Sequence, residues 1–98
     1  MKYEFHPSAL EEYRQAALWY AEREPEVALK FVASVENAIT RIVEAPTRWR
    51  LVDEDVRRCL TRVFPFGILY TIEDFLLIVA VMHFSRVPGY WKSRIAER

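Results

Sequence analysis

Apolar and polar positions along the chain change period halfway, and the change divides it into a helical half and a strand half. Lys2 to Phe5 places Tyr3 and Phe5 on one face and predicts a short first strand. Ala9, Tyr13, Ala16, Ala17 and Tyr20 then recur at spacings of three and four, with Leu10 and Trp19 beside them, which predicts a helix from Pro7–Ser8 to near Arg23. Ser8 followed by Glu11 has the spacing of a capping box. Pro25 suits the first position of a second helix, whose stripe is Ala28, Phe31, Val35, Ala38 and Ile42, widened by Val32 and Ile39. Pro46 stops that helix at Ala45, because the residue before a proline is pushed out of the helical region. The link at Glu24 is so short that the two helices must run antiparallel.

Residues 46–55 predict a loop, carrying Trp49 and the acidic run Asp53-Glu54-Asp55. From there the period is two. Val56 to Phe64 predicts a strand interrupted by Pro65. Phe66 to Ile72 predicts another, with Ile68, Tyr70 and Ile72 opposite Leu69 and Thr71. Glu73-Asp74 is a two-residue turn into Phe75–His83, and the run from Phe75 to Met82 is dense enough in apolar residues to be buried on both faces. Tyr90 to Arg98 predicts a short helical tail. The order β-α-α-β-β-β predicts an α+β fold, with an antiparallel helical hairpin packed on a mostly antiparallel four-stranded sheet, in one domain over residues 1–98.

Composition narrows the function. A chain of 98 residues with 52% hydrophobic side chains can build one core, and its scarce glycine argues against a flexible linker. No apolar run is long enough to span a bilayer, and MKYEFHP is no signal region, so a cytoplasmic protein without membrane contact is expected. Cys59 is a lone cysteine in a strand pattern and is expected to act as a small buried hydrophobe. Two histidines and one cysteine make no metal site, and no cofactor is expected.

The net charge of zero hides an asymmetry. Residues 1–55 hold 7 basic and 11 acidic side chains, whereas residues 56–98 hold 7 basic and 3 acidic ones. A nucleic-acid grip by phosphates needs a basic excess, which only the C-terminal half offers. That half also predicts a basic surface attractive to an acidic peptide, and the strand after the irregular loop is a candidate sheet edge for an added strand.

The densest chemistry lies in His83-Phe84-Ser85-Arg86-Val87-Pro88-Gly89-Tyr90-Trp91, where a buried strand surfaces into a turn. With it go Arg57, Arg58 and Arg62, of which Arg58 and Arg62 share a face by alternation and Arg57 points the other way.

Several of these pieces, in this order, resemble the RelE/ParE superfamily, the toxins of bacterial type II toxin–antitoxin systems. They are Phe5-His6-Pro7-Ser8-Ala9, Trp19-Tyr20, Ala38-Ile39 with Ala45-Pro46, Arg57-Arg58, the stretch Arg62-Val63-Phe64-Pro65-Phe66-Gly67-Ile68-Leu69-Tyr70, and Val81-Met82-His83 with Arg86, Pro88, Tyr90 and Trp91. The likeness covers nearly the whole chain. It implies a cognate antitoxin as partner and one of two activities: inhibition of DNA gyrase, as in the ParE-like or plasmid-stabilisation branch, or metal-free cleavage of mRNA on the ribosome.

Cleavage would need a base, an acid and cations aimed at the phosphate, for which the candidates are Arg58, Arg62, His83, Arg86 and Tyr90. Four features weigh against it. Phe84 follows His83 where RNA-cutting relatives place a basic residue; no lysine occurs between Lys30 and Lys92; arginine cannot readily serve as a base; and the overall charge is neutral. Gyrase binding needs only a gripping surface, and Trp49, Arg57, Arg86, Tyr90 and Trp91 are residue types enriched in interface anchors. Gyrase binding is therefore the first expectation, mRNA cleavage the alternative, and an inactive toxin-like binding domain a second alternative. The competing structural reading has Tyr90 and Trp91 covering the end of the core.

Overall fold

The computed structural model describes residues 1–96. The chain runs β1 (Tyr3–Phe5), α1 (Pro7–Arg23), α2 (Pro25–Glu44), β2 (Arg50–Leu51), β3 (Val56–Leu60), β4 (Phe66–Ile72), β5 (Leu76–His83) and α3 (Lys92–Ala96). The sheet has the order β1-β5-β4-β3-β2. β1 is parallel to β5, and every other pair is antiparallel. The α1–α2 hairpin lies on one face, so the class is α+β as the pattern predicts. No helix among the described residues is long and apolar enough to cross a membrane.

Four details differ from expectation. The sheet has five strands rather than four, because Arg50–Leu51 of the expected loop pairs with β3. A two-residue strand has no room for an alternating pattern. β3 ends at Leu60 instead of Phe64. The Thr61 hydroxyl bonds the carbonyls of Phe64 and Phe66, and Val63 takes a left-handed φ of 75°, which closes the β3–β4 connection early. There is no capping box. α1 begins at Pro7, so His6 is the cap, and its Nδ1 accepts the Ser8 N–H at 3.0 Å while Glu11 bonds Arg14 and Gln15. α3 starts at Lys92 rather than Tyr90, and the last two residues of the expected tail lie outside the described residues.

The sheet is buried on both sides by different means. On the helical face Phe31, Val35, Ala38 and Ile42 pack on Cys59, Ile68, Tyr70 and Ile78, with Tyr13, Tyr20, Phe64 and Phe66 forming an aromatic cluster around Phe31. On the other face Val56, Leu69, Leu77 and Val79 are covered by the returning C-terminal segment, chiefly Trp91 with Tyr90 and Ile95. This second layer is why β5 is apolar at successive positions.

β5 also carries a bulge. Leu69 pairs with Ala80 but Tyr70 with Ile78, so Val79 is an extra residue in the ladder. The Arg94 guanidinium donates to the Val79 carbonyl at 3.0 Å.

Candidate functional site

The bulge decides which residues meet. Leu76 and Ile78 face the helices, so unbroken alternation would send His83 to the opposite face along with Leu77 and Val79. The extra residue reverses the phase: Val81 joins the helical core and Met82 the other one. His83 therefore lies on the helical side, its ring edge-on to Phe66 at 5.1 Å. Its Nδ1 accepts the Ser85 N–H at 3.0 Å. There it lines a groove of about 650 Å³ with Glu12, Trp19, Tyr20 and Phe66.

Arg58 lies on the other side. It pairs with Leu69 across β3–β4, and its stem runs along the sheet above Gly67. A Cβ at Gly67 would come within 3.1 Å of Arg58 Cδ, so the glycine makes room for that stem. β2 sets Arg50 directly opposite Arg58. The Pro88-Gly89 turn, with Gly89 at φ 82°, brings the chain back so that Trp91 lands on the sheet and Lys92 projects beside Asp53 at 3.3 Å. Together Arg50, Arg58, Arg86 and Lys92 surround a cavity of about 700 Å³ floored by Leu69, Met82 and Trp91.

Glu12 ties the two sides together. Its carboxylate accepts two hydrogen bonds from Arg94, at 2.8 and 3.0 Å, one from the Val81 N–H at 3.0 Å and one from the Tyr90 hydroxyl. The Arg86 guanidinium stacks 3.9 Å above the Tyr90 ring and reaches Glu12 at 3.8 Å. Burial, and then the hydrogen bond to Glu12, push the Tyr90 hydroxyl well above the usual phenol range.

The profile of the ParE toxin of type II toxin–antitoxin system, parDE, matches residues 3–88. The chain belongs to this family. None of the curated proteins matches it. Among solved structures it is similar to one described as the chromosomal ParDE TA system from P. aeruginosa, at 16% identity and a TM-score of 0.74, covering 85% of this chain and 95% of that one. That likeness concerns the fold.

The structure of this ParE-family chain does not assemble the expected cleavage set. Arg58 and His83 are on opposite faces of the sheet. Arg62 has left the strand: its carbonyl accepts the Ser34 hydroxyl of α2, and it lines neither cavity. The Tyr90 hydroxyl donates its hydrogen bond to Glu12 and keeps its proton, because burial and that bond raise its pKa, which suits a strut better than an acid. Arg86 lies between the two sides: it lines the groove with His83, stacks on Tyr90, and lines the opposite cavity with Arg58. Alternation placed Arg62 with Arg58 on the assumption that the strand continued, and Thr61 ends it.

The residues expected to grip a partner are differently exposed. Trp91 is only 4% exposed, so its indole serves the second core, as the structural reading had it. Trp49 is half-buried, and its Nε1 donates to the Arg41 carbonyl at 3.3 Å at the end of α2. Arg57 donates to the carbonyls of Thr47 and Trp49 and so ties down the loop before β2. Arg86 is the most open of the set. Among the described residues no group of three or more His, Cys, Asp or Glu could hold a metal ion.

Sequence reasoning missed Glu12, Arg94, Arg50 and Gly67. Glu12 had a signal: it sits three residues after Ala9 and four before Ala16, in phase with the apolar stripe of α1, where an unpaired carboxylate would be costly. Arg50 had none, because nothing local marks a two-residue strand.

Proposed function

We propose that this chain is the toxin of a type II pair that inhibits growth by binding DNA gyrase, and that its partner is a cognate antitoxin. The observation that carries the choice over RNA cleavage is the separation of His83 from Arg58 by the thickness of the sheet. Transfer of a 2′-hydroxyl proton and stabilisation of a phosphorane need base and cation at one reacting phosphate. The cavity that gathers the cations has no base among its lining residues but Asp53, which is already paired with Lys92, and the groove that holds His83 has one cation, Arg86, which already faces the Glu12 carboxylate at 3.8 Å. The exposed Trp19, at 51%, and Phe84, at 52%, are instead features of a surface that meets another protein.

The test is supercoiling by purified gyrase in the presence of the purified chain, run beside primer extension on mRNA from cells expressing it. Loss of supercoiling, or a trapped cleavage complex, with intact mRNA is expected. Normal supercoiling with mRNA cut in a manner abolished by His83→Ala would replace this reading with the nuclease one. Harmless expression without any antitoxin would favour the inactive binding domain.

A further inference from the structure

A second group of arginines lies on the helical side of the sheet, where the end of α2 meets β3. The Arg41 and Arg48 guanidiniums stand over the Trp49 ring, 5.5 and 5.2 Å from its centre. Arg57 donates to the Thr47 and Trp49 carbonyls and so pins the loop that carries Arg48. Burial pushes the Cys59 thiol up, while the charges of Arg41, Arg62 and Arg48 pull it down, so these three cations converge within electrostatic reach of one buried atom. None of the four arginines has a carboxylate at ion-pair distance among the described residues. Arg41 and Arg57 have a structural role, since Arg41 also bonds Asn37 and the Leu60 carbonyl. Arg48 and Arg62 have none. Both are exposed, and neither side chain makes a hydrogen bond or ion pair among the described residues; it is the Arg62 main chain that accepts from Ser34. Like charges gathered without counter-charges weaken a fold, and an anion from outside explains what the fold does not.

We propose that this edge binds the phosphate backbone of duplex DNA through Arg41, Arg48 and Arg62, with Arg57 as the positioning residue. On the gyrase reading above, which this inference rests on for the source of the DNA, the duplex is the one that gyrase holds, and the toxin touches enzyme and DNA together. The chemistry favours DNA over an acidic protein segment. None of the four arginines lines either of the two cavities, so they stand apart from the grooves that would take a partner's apolar side chains. It also favours a duplex over a single strand. Single strands are gripped by stacking bases on open aromatic rings, whereas the Trp49 ring is half-buried and has two guanidiniums over it. Cations held at the surface by a ring and by carbonyls are suited to phosphates, which fix position without reading sequence.

A fluorescein-labelled duplex of about 20 base pairs, titrated with the full chain at salt from about 50 to 200 mM and followed by anisotropy, tests this. Binding should be indifferent to base sequence, and its affinity should fall with salt on a log–log slope of about −3, as expected for three phosphates. Arg48→Gln and Arg62→Gln should each weaken it about fivefold, reduce the slope by about 1 and leave the melting temperature unchanged or higher. A purely structural role would lower the melting temperature and leave the slope alone. Lys30→Gln, an exposed cation in the first half of α2, should leave binding unaltered. No binding at about 50 mM salt overturns the proposal, as does indifference to both arginine variants. Displacement of the duplex by polyglutamate at a lower charge concentration than by unlabelled duplex overturns it in favour of an acidic protein. Tighter binding of a single strand of the same length overturns it in favour of single strands. Supercoiling by gyrase is scored separately with the wild-type chain. Inhibition without duplex binding refutes the DNA contact and leaves the gyrase reading standing, whereas duplex binding without inhibition does the reverse.

Discussion

Glu12 is where the stability of this fold is most exposed to a single change. Its carboxylate joins α1, the edge of β5 and the C-terminal segment through Arg94, Val81 and Tyr90, and the Glu12 and Arg94 side chains are only 14% and 13% exposed. Glu12→Ala leaves the Arg94 cation without its counter-charge and the Val81 N–H without its acceptor. Removing one partner of a buried pair costs about 3–5 kcal/mol. The low end applies here, because Arg94 keeps the Val79 carbonyl and the Tyr90 hydroxyl can turn to water. The expected loss is therefore about 3 kcal/mol, a lowering of the melting temperature by roughly 15 °C for a domain of this size. Glu12→Gln keeps an acceptor for Val81 and should lose only about half as much. Glu11→Ala, one position away, removes an exposed pair with Arg14 and should cost less than about 0.5 kcal/mol. Urea unfolding followed by tryptophan fluorescence measures all three. A loss in Glu12→Ala below about 0.5 kcal/mol would refute the reasoning, and so would strict additivity of Glu12→Ala and Arg94→Ala in a double-mutant cycle.

Three further outcomes follow from the same coordinates. Val63 is a β-branched residue at φ 75° and 98% exposed, so Val63→Asn should stabilise by about 1 kcal/mol, and a lower denaturation midpoint would contradict the strain. His6→Ala should cost about 1 kcal/mol by removing the α1 cap while His6→Asn costs little, a contrast readable by circular dichroism during melting. Burial pushes the Tyr70 hydroxyl up to about 12, with Arg57 pulling against it, and burial with a carboxylate partner pushes Tyr13 and Tyr90 higher still. A phenol held neutral in the fold but ionising near pH 10 when unfolded stabilises fully below about pH 10, and that contribution is lost as pH rises through the folded-state value. Melting temperature should hold up to about pH 9.5 and fall above it, with phenolate absorbance from these three rings appearing only on unfolding.

The helices were legible because their information is local. A stripe at spacings of three and four, prolines at positions 7, 25 and 46, and a one-residue link suffice to specify an antiparallel hairpin. β4 was legible to the residue because Phe66–Ile72 is bounded by Pro65 and by the acidic turn. The apolar run of β5 correctly announced a strand buried on both faces, and the likeness in motifs announced the family. The candidate site was legible in its residue types and not in its geometry. Alternation places side chains on faces only while the ladder stays regular, and it breaks here at Thr61 and Val79. One break removes Arg62 from the company of Arg58, and the other turns His83 to the opposite face. Neither has a glycine or proline at its own position: the first is held by a hydroxyl bonding carbonyls three and five residues further on, a contact that alternation does not register, and the second by a guanidinium from the last helix bonding a carbonyl in the middle of the sheet. The amino-acid order thus decided which elements form and how much apolar surface they must hide. Only the packed sheet decided which charges face each other across it, because that depends on a one-residue phase stabilised by tertiary contacts.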